Sequence, residues 1–294
     1  MHHLGVIKVE GDDAAKFLHG QLTQDFALLG KDGARLAALC SPKGRMLASF
    51  IGFKCADSSI LLICSRDLLL QTMKRLSMFV LRAKVKLSDA TDQFALWGLS
   101  GDAAAAVLPG SAKPWTKVEK EGINLVQLFT GLGLQRVLYV AAAGAVPAYS
   151  TLPPAIWDWL EVQSGVANVG ADATDKYVPQ MLNYESIGGV NFKKGCYPGQ
   201  EVVARSQFRG TLKRRAFLIH SDTPLDIGAE IYANASETES VATVVQAADS
   251  PTGGYDAIAC GNLGPTHYPL LCLGSHDGPK LVLLPLPYPL LEDI

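Results

Sequence analysis

Hydrophobic and polar residues follow two different periods in the first 90 residues of the chain, and this predicts alternating helices and strands. Apolar residues three or four positions apart predict one helix beginning just after Gly11 and a leucine-rich helix over 67–76. Continuous apolar runs predict buried strands over 35–40, 46–53 and 60–65. The residues 41–44, Ser-Pro-Lys-Gly, predict a tight hairpin turn between the first two strands.

The same mixture continues to residue 165. Short apolar runs predict three further strands over 95–99, 115–128 and 136–141. An alanine-rich helix opens after Ser100 and is ended by Pro109, and a second helix begins at Pro153 and stops at Gly165. Strands mixed with single helices are typical of α+β or mixed α/β domains and not of helical bundles.

The pattern of apolar and turn-forming residues changes after Arg215. Short strand-like runs at 216–219, 230–232, 241–247, 257–260 and 281–284 alternate with Gly, Pro, Asn and Ser. This pattern predicts a small antiparallel barrel or sandwich of about 80 residues. Three prolines in the tail 283–291 exclude a helix or a central strand there, so we expect an extended segment lying on a neighbouring lobe. The predicted domains are therefore two α/β lobes over 1–205 and a barrel over 206–294.

Composition excludes several classes of protein. Hydrophobic residues make up 48% of the 294 residues and charged residues 18%, which is enough for a sizeable core. A net charge of −2 gives no overall attraction to nucleic acid or to anionic membranes. No apolar run reaches the roughly 18 residues of a spanning helix, and residues 1–5 lack the features of a secretory signal. We therefore expect a cytoplasmic protein without a membrane partner.

Six cysteines are present, and only one has a distinctive sequence context. They form no Cys-x-x-Cys pair and no His/Cys array with metal-ligand spacing, so no metal site is predicted. Five lie among apolar neighbours and are predicted to be small core residues: Cys40, Cys55, Cys64, Cys260 and Cys272. The histidines are scattered along the chain, and none stands beside Cys196, the sixth cysteine.

Cys196 lies in the most informative segment of the chain. Lys193 and Lys194 precede it, and a turn predicted over 197–200 leads into a helix or extended segment that begins at Gln200 or Glu201. Nearby cations favour a thiolate, which on an exposed turn can attack an electrophile, form a mixed disulfide or bind iron. The alternative is a surface turn that carries a cysteine by chance.

The same region concentrates positive charge. From Lys193 to Arg215 there are seven basic residues and one acidic residue, Glu201, a net charge of +6. Such a patch suits a carboxylate tail, a phosphate or an RNA backbone, although a solvated face between two lobes is an equal alternative. Binding to RNA alone would favour more interleaved aromatic residues than the three present, Tyr197, Phe208 and Phe217.

The segment 194–201, Lys-Gly-Cys-Tyr-Pro-Gly-Gln-Glu, followed by Ala204-Arg205, resembles the signature of the YgfZ-type folate-binding proteins. These are relatives of the aminomethyltransferase (T-protein) of the glycine cleavage system. The resemblance extends over residues 5 to 215. It includes the opening helix at 11–25, the Lys-Gly-Arg hairpin at 43–45, the Pro-Gln segment at 177–183 and the continuation at 209–214.

This resemblance implies a multi-lobed, aminomethyltransferase-like fold that holds tetrahydrofolate at its centre and is closed by a C-terminal antiparallel β-barrel. It implies a role in the assembly or repair of iron–sulfur proteins, including tRNA-modifying enzymes, with folate and such clients as partners. Cys196 is then the candidate reactive thiol, with Lys194 and Glu201 beside it. The candidate folate-binding residues are Asp25, Gln163, Asn183, Lys194, Tyr197, Gln200 and Arg205, with Gln163 facing the pterin and Lys194 or Arg205 the anionic tail.

Two departures from the aminomethyltransferase pattern bear on the reaction. An acidic pair that follows the hairpin glycine in that enzyme corresponds here to Leu47 and Ala48, which cannot relay a proton. The pterin-contacting glutamate corresponds to Gln163, which carries no charge. A folate-dependent accessory factor is therefore favoured. A tetrahydrofolate-dependent aminomethyl transferase and a pure folate-sensing module remain the alternatives.

Overall fold

The apolar runs of the first 90 residues form one antiparallel sheet. The computed structural model describes residues 1–110, 112–209, 212–233, 239–262 and 270–291. Five strands make up the sheet: β1 (Leu4–Glu10), β2 (Ala34–Cys40), β3 (Met46–Lys54), β4 (Ile60–Ser65) and β5 (Lys86–Asp89). Their order is β2-β3-β4-β1-β5. The three predicted strands are confirmed. The sequence pattern did not predict β1, or β5, which is a short and largely polar edge strand.

Two helices pack against this sheet. Helix α1 (Ala14–Gln21) buries Ala14, Phe17 and Leu18, the residues that gave the helical period in the sequence. A 3-10 turn over 66–68 leads into α2 (Leu69–Ser77). The turn at 41–44 is confirmed, since the amide of Gly44 donates to the carbonyl of Ser41 at 2.8 Å.

A second antiparallel sheet follows, together with two helices. Its strands are β6 (Phe94–Ser100), β7 (Lys117–Lys120), β8 (Ile123–Gln127) and β9 (Arg136–Ala142), in the order β6-β9-β8-β7. Helices α3 (Asp102–Val107) and α4 (Pro154–Gln163) lie where the sequence predicted them. The single strand predicted over 115–128 is wrong. Glu121 and Gly122 both have positive φ, 53° and 78°, and form a hairpin turn between β7 and β8.

The two sheets share an apolar layer. Leu4, Val6 and Phe53 from the first sheet pack with Val126 and Leu138 from the second, all of them buried. The remaining apolar residues of the first sheet join a larger core that extends to the C-terminal strands. One face of the first sheet therefore packs on the second sheet and the other face joins the larger core, as expected for α+β packing.

The C-terminal strands close into a barrel, as the sequence predicted. The strands are β10 (Arg214–Ser221), β11 (Glu230–Tyr232), β12 (Ala242–Asp249), β13 (Tyr255–Asn262), β14 (Leu271–Leu273) and β15 (Lys280–Leu284). Their order around the barrel is β10-β13-β12-β11-β14-β15, and all pairs are antiparallel. Among the barrel strands of the described residues, only the three-residue β14 had no counterpart among the predicted strands.

Two segments connect the barrel to the rest of the chain. Helix α4 contacts the barrel through Trp159, whose Nε1 donates to Asp256 at 2.5 Å. The tail after β15 is extended, and its Tyr288 hydroxyl donates to the carbonyl of Gly165 at 2.7 Å, as expected for a segment that lies on a neighbouring lobe. Helix α5 (Gln200–Phe208) spans the boundary predicted at 205/206, so the division into domains stays a prediction.

Within the described residues, every helix is too short or too polar to cross a membrane. The cytoplasmic location stays a prediction.

Candidate functional site

The loop that carries Cys196 is held by a buried lysine. Lys194 is only 8% exposed, and its ammonium donates to the carbonyls of His19 at 2.5 Å, Leu22 at 3.0 Å and Gly195 at 3.2 Å. It also lies 4.5 Å from the centre of the Tyr197 ring. Burial lowers the pKa of Lys194 to about 8. Because all three ammonium hydrogens have carbonyl partners, Lys194 anchors the loop and has no donor left for a folate tail.

Two glycines allow the cysteine loop to touch the Lys-Gly-Arg hairpin. Gly199 has a φ of +80°, and a β-carbon there would lie 2.4 Å from the carbonyl oxygen of Ser41. Gly44 has a φ of +72°, and its β-carbon would lie 2.8 Å from that of Val202 in α5. Both positions therefore require glycine. The two motifs, about 150 residues apart in the chain, form one rigid surface.

His19 joins this surface, although the sequence did not assign it. A β-carbon on Gly195 would lie 3.4 Å from His19 Nε2, while His19 Nδ1 is 3.0 Å from Asp25 Oδ1. Burial alone would raise the pKa of Asp25, but the amide of Leu28 and the imidazole of His19 outweigh it and lower that pKa. Asp25 thus orients His19 beside the cysteine loop. The opening-helix motif contained this signal, because it places His19 six residues before Asp25.

Cys196 differs from the other cysteines in exposure. It is exposed, Cys55 is half-buried, and the other four are buried. Burial raises the pKa of Cys40, Cys64 and Cys260 to about 12, which leaves almost no thiolate at neutral pH.

Alkylation of the native protein checks this difference. With iodoacetamide near pH 8, we expect Cys196 to be labelled at least about ten times faster than any other cysteine, because its thiol is exposed, whereas Cys55 is half-buried and the other four are buried. Mass spectrometry of the digested protein gives the rate for each site. Earlier labelling of Cys40 or Cys260 would contradict the assignment.

A cavity lies between the two sheets and the end of α4. It has about 560 Å³ of empty space, including its opening to solvent. Apolar and aromatic side chains form most of its wall, among them Phe50, Trp115 and Phe129. Trp115 and Phe129 lie 5.7 Å apart at their ring centres, and Trp115 is fixed because its Nε1 donates to the carbonyl of Ile187 at 2.8 Å. The wall therefore offers flat apolar surfaces.

A buried charged pair lies at one side of this cavity. Arg136 is 3% exposed, and its Nη2 is 3.9 Å from Oε1 of Glu161. Its Nε is buried and has no hydrogen-bond partner within the described residues. Burial lowers the pKa of Arg136 to about 10. Burial would raise the pKa of Glu161, but His3 and Arg136 outweigh it and lower that pKa, so the carboxylate is ionised. The guanidinium of Arg136 therefore has an N–H group available to hydrogen-bond a polar atom of a ligand in this apolar wall.

The residues predicted to bind folate do not line this cavity. Gln163 is buried and donates to Asp256 at 2.7 Å, so its side chain faces the barrel. Asn183 is fully buried, and its amide bonds the backbone of Ala216 in β10. The cavity is instead lined by neighbours of these residues, Glu161, Ser164 and Tyr184. Assignment of Gln163 and Asn183 to folate stays a prediction without support from their contacts.

The remaining predicted residues lie on the cysteine loop and α5. Tyr197 is buried beneath Lys194, and its hydroxyl has no partner within the described residues. Gln200 begins α5, and its backbone N–H donates to the carbonyl of Tyr197 at 3.2 Å. Glu201 is exposed and pairs with neither Lys194 nor Arg205 in the described part of the chain. Their predicted roles remain untested.

Arg205 belongs to a separate, basic groove. The groove lies between α5 and the start of β10, and its empty space is about 1120 Å³, including open solvent. Four exposed cations line it: Arg205, Arg209, Lys213 and Arg214. This groove, named the α5–β10 groove below, contains four of the seven basic residues that lie between Lys193 and Arg215 in the sequence.

One grouping of possible metal ligands occurs in the described residues. Side-chain ligand atoms of His3, Asp158 and Glu161 lie within 4.8 Å of one another. No sequence motif marked these distant residues. Because Glu161 also faces the guanidinium of Arg136, a cation there would be repelled, and the sequence prediction of no metal site stands as a prediction.

The comparisons with known proteins agree with this architecture. A family model described as the GCVT N-terminal domain matches residues 1–130. Over 226 residues the chain is 32% identical to the "tRNA-modifying protein YgfZ" of Enterobacter sp. strain 638, which covers 70% of this chain and 66% of that protein. The protein of the same name from Hamiltonella defensa is 31% identical, with 72% of this chain and 66% of that protein covered.

The chain belongs to the YgfZ family. An uncharacterized protein of Haemophilus influenzae is 29% identical over 77% of this chain and 75% of its own length. The chain thus spans 66% of the length of the two YgfZ relatives and 75% of the length of the Haemophilus influenzae protein. The crystal structure of the glycine cleavage system aminomethyltransferase T from Bartonella henselae superimposes with a TM-score of 0.72 at 18% identity. It covers 97% of this chain and 84% of the enzyme, which establishes the aminomethyltransferase-like fold of this YgfZ family member.

Proposed function

We propose that the chain is a tetrahydrofolate-binding accessory factor for the assembly or repair of iron–sulfur proteins, including enzymes that modify tRNA. The observation that carries the folate part is the cavity with flat apolar walls and the Arg136–Glu161 pair at one side. The names of the relatives support a connection with tRNA modification. The exposed Cys196 on its anchored loop supports a thiol-dependent step.

The cavity residues fit the chemistry of a pterin. A pterin is flat, and its pyrimidine edge carries an amino group and a ring N–H beside a carbonyl oxygen. A carboxylate only accepts hydrogen bonds and a guanidinium only donates them. We therefore assign Glu161 to the amino and N–H side, and the unpartnered Nε of Arg136 to the carbonyl. Trp115 and Phe129 provide the apolar faces. When bound, tetrahydrofolate supplies a carrier for one-carbon units.

Strand β3 supports an accessory role over aminomethyl transfer. Leu47 and Ala48 stand where the aminomethyltransferase pattern has its acidic pair, and both lie on this strand, half-buried and buried. Neither side chain can take a proton from an amine. Near the cysteine loop, His19, with its partner Asp25, and Cys196 itself are residues that can hold or move a proton.

Calorimetric titration with tetrahydrofolate tests the cavity. We expect Glu161→Gln to weaken binding by about tenfold or more, because a hydrogen bond to a charged group is worth about 1.5–3 kcal/mol. Glu119→Gln, the same change at a glutamate outside the cavity that pairs with Lys117, is the matched control and should bind as the wild type does. Equal affinity in Glu161→Gln and the wild type would refute the assignment.

The same titration separates Glu161 from Gln163. If the side-chain amide of Gln163 hydrogen-bonds the pterin, Gln163→Met will lose tetrahydrofolate affinity to the same extent as Glu161→Gln. Because this amide donates to Asp256, we expect Gln163→Met to lose less than about threefold, within the usual range of indirect effects. Absence of tetrahydrofolate binding by the wild type would refute the folate part of the proposal.

A further inference from the structure

The α5–β10 groove concentrates cations that have no partner among the described residues. No side-chain hydrogen bond or ion pair joins Arg205, Arg209, Lys213 or Arg214 to another described residue, and no described acidic residue lines the groove. The neighbouring Arg215, by contrast, is buried and paired with Glu185. Uncompensated cations converging on one groove in a chain of net charge −2 indicate an anionic occupant.

Backbone hydrogen bonds fix the main-chain positions of Arg205, Arg209 and Arg214. The amide of Arg209 donates to the carbonyl of Arg205 at 2.9 Å, so these two arginines lie one helical turn apart. Arg214 begins β10, which is paired with β13 along its whole length. The partial negative charge at the end of α5 accounts for a preference for Arg205 and Arg209 there. It does not account for Lys213 and Arg214, which come from the barrel side.

We propose that this groove binds the phosphate backbone of a folded RNA directly. Three of the four cations are arginines, whose planar forks match phosphate oxygens through paired hydrogen bonds. Ser206 and Asn262 add neutral polar side chains at the groove, and Phe208 on the same helix is 53% exposed. Phe208 rests edge-on against Phe192, with ring centres 5.3 Å apart, which leaves an exposed aromatic surface for a base.

The barrel topology argues against an acidic peptide as the occupant. Extended peptides commonly bind by adding a strand to a free sheet edge. Little of the strands that border the groove is open to an added strand. β10 is paired with β13 over its whole length, and β13 is also paired with β12. The other edge of β10 is bonded to the side chain of Asn183 at Ala216 and to β15 over 218–220. A peptide would be left mostly with side-chain contacts, whereas phosphates need only such contacts.

This inference goes beyond the proposed function, in which RNA is reached only through a client enzyme. It does not depend on folate or on Cys196. An in vitro transcribed tRNA with a fluorescent label is a suitable probe, and a labelled glutamate-rich peptide represents the acidic-protein alternative. Binding of each to the full chain is measured by fluorescence anisotropy at about 50 and 200 mM salt.

We expect Arg209→Glu/Lys213→Glu to weaken tRNA binding by at least about tenfold. We also expect the slope of log Kd against log salt to fall by about two. The variant loses two phosphate contacts, and each lost contact lowers this slope by roughly 0.9. Lys16→Glu/Lys120→Glu is the matched control, with the same charge change at two exposed lysines on other faces. All four residues are exposed, so the fold should be retained, and circular dichroism checks this for both variants.

Three outcomes would overturn the proposal. The first is no tRNA binding by the wild type at low salt. The second is an equal loss in the groove and control variants, which would show only diffuse electrostatic attraction. The third is a glutamate-rich peptide that binds as tightly as tRNA and loses affinity in the same variant, which would assign the groove to an acidic protein surface. Loss confined to the groove variant and to tRNA supports direct RNA binding.

Discussion

Replacing Cys196 by alanine is expected to abolish most of the activity in cells while leaving folate binding intact. The proposed clients include an iron–sulfur enzyme that methylthiolates tRNA. In a strain that lacks its own copy of the gene, this methylthiolation should fall at least about tenfold with Cys196→Ala. The reason is that the loop, anchored by Lys194, presents this thiol to solvent, and alanine removes the sulfur without disturbing the anchor. Modified and unmodified nucleosides are quantified by mass spectrometry.

The fold and the cavity supply the controls for this variant. Cys196 is exposed, so the free energy of unfolding should change by less than about 0.5 kcal/mol. Tetrahydrofolate affinity should stay within about threefold, because Cys196 does not line the cavity. Cys55→Ala, a substitution at the half-buried cysteine, should leave methylthiolation unchanged. Full methylthiolation with Cys196→Ala would refute a role for this thiol, whether or not folate binds.

The local parts of the fold were predictable, and the pairing of distant segments was not. Apolar runs placed β2, β3 and β4 within one residue at each end because both faces of these strands are largely buried. The same reasoning merged β7 and β8, since Glu121 and Gly122 do not match the usual Asn-Gly or Asp-Gly turn signal. Strand β5, a short polar edge, has no hydrophobic period to detect.

In the candidate site, too, the local features were predictable and the contacts between distant segments were not. The cysteine motif identified the anchored loop, because two lysines and two glycines are local signals. It did not reveal that Lys194 points inward, since a buried lysine requires carbonyls from His19 and Leu22, about 170 residues earlier in the chain. On α4, residues of both helix faces are buried, so sequence alone does not distinguish Glu161, at the cavity, from Gln163, at the barrel. Arg136 begins β9 of the second sheet and faces Glu161 of α4, so this pairing also joins distant segments.

Arg215→Met is expected to lower the free energy of unfolding by about 3–5 kcal/mol. Arg215 and Glu185 are both 5% exposed and form an ion pair through Nη1 and Oε1. Nη2 of Arg215 also donates to the carbonyl of Leu291 in the C-terminal tail at 3.3 Å. Removing the guanidinium leaves the carboxylate of Glu185 buried without a cation, and the second oxygen of that carboxylate already lacks a partner within the described residues.

Urea unfolding followed by circular dichroism measures the loss. Arg214→Met, the same change at the exposed preceding residue, is the matched control and should cost less than about 0.5 kcal/mol. The double variant Arg215→Met/Glu185→Leu should recover most of the loss, because replacing both members of a buried pair by apolar groups removes the uncompensated charge. A cost for Arg215→Met no larger than that for Arg214→Met would show that this pair does not hold the barrel and tail to the rest of the chain. Recovery in the double variant would show that the cost comes from the isolated carboxylate of Glu185 and not from lost packing around Arg215.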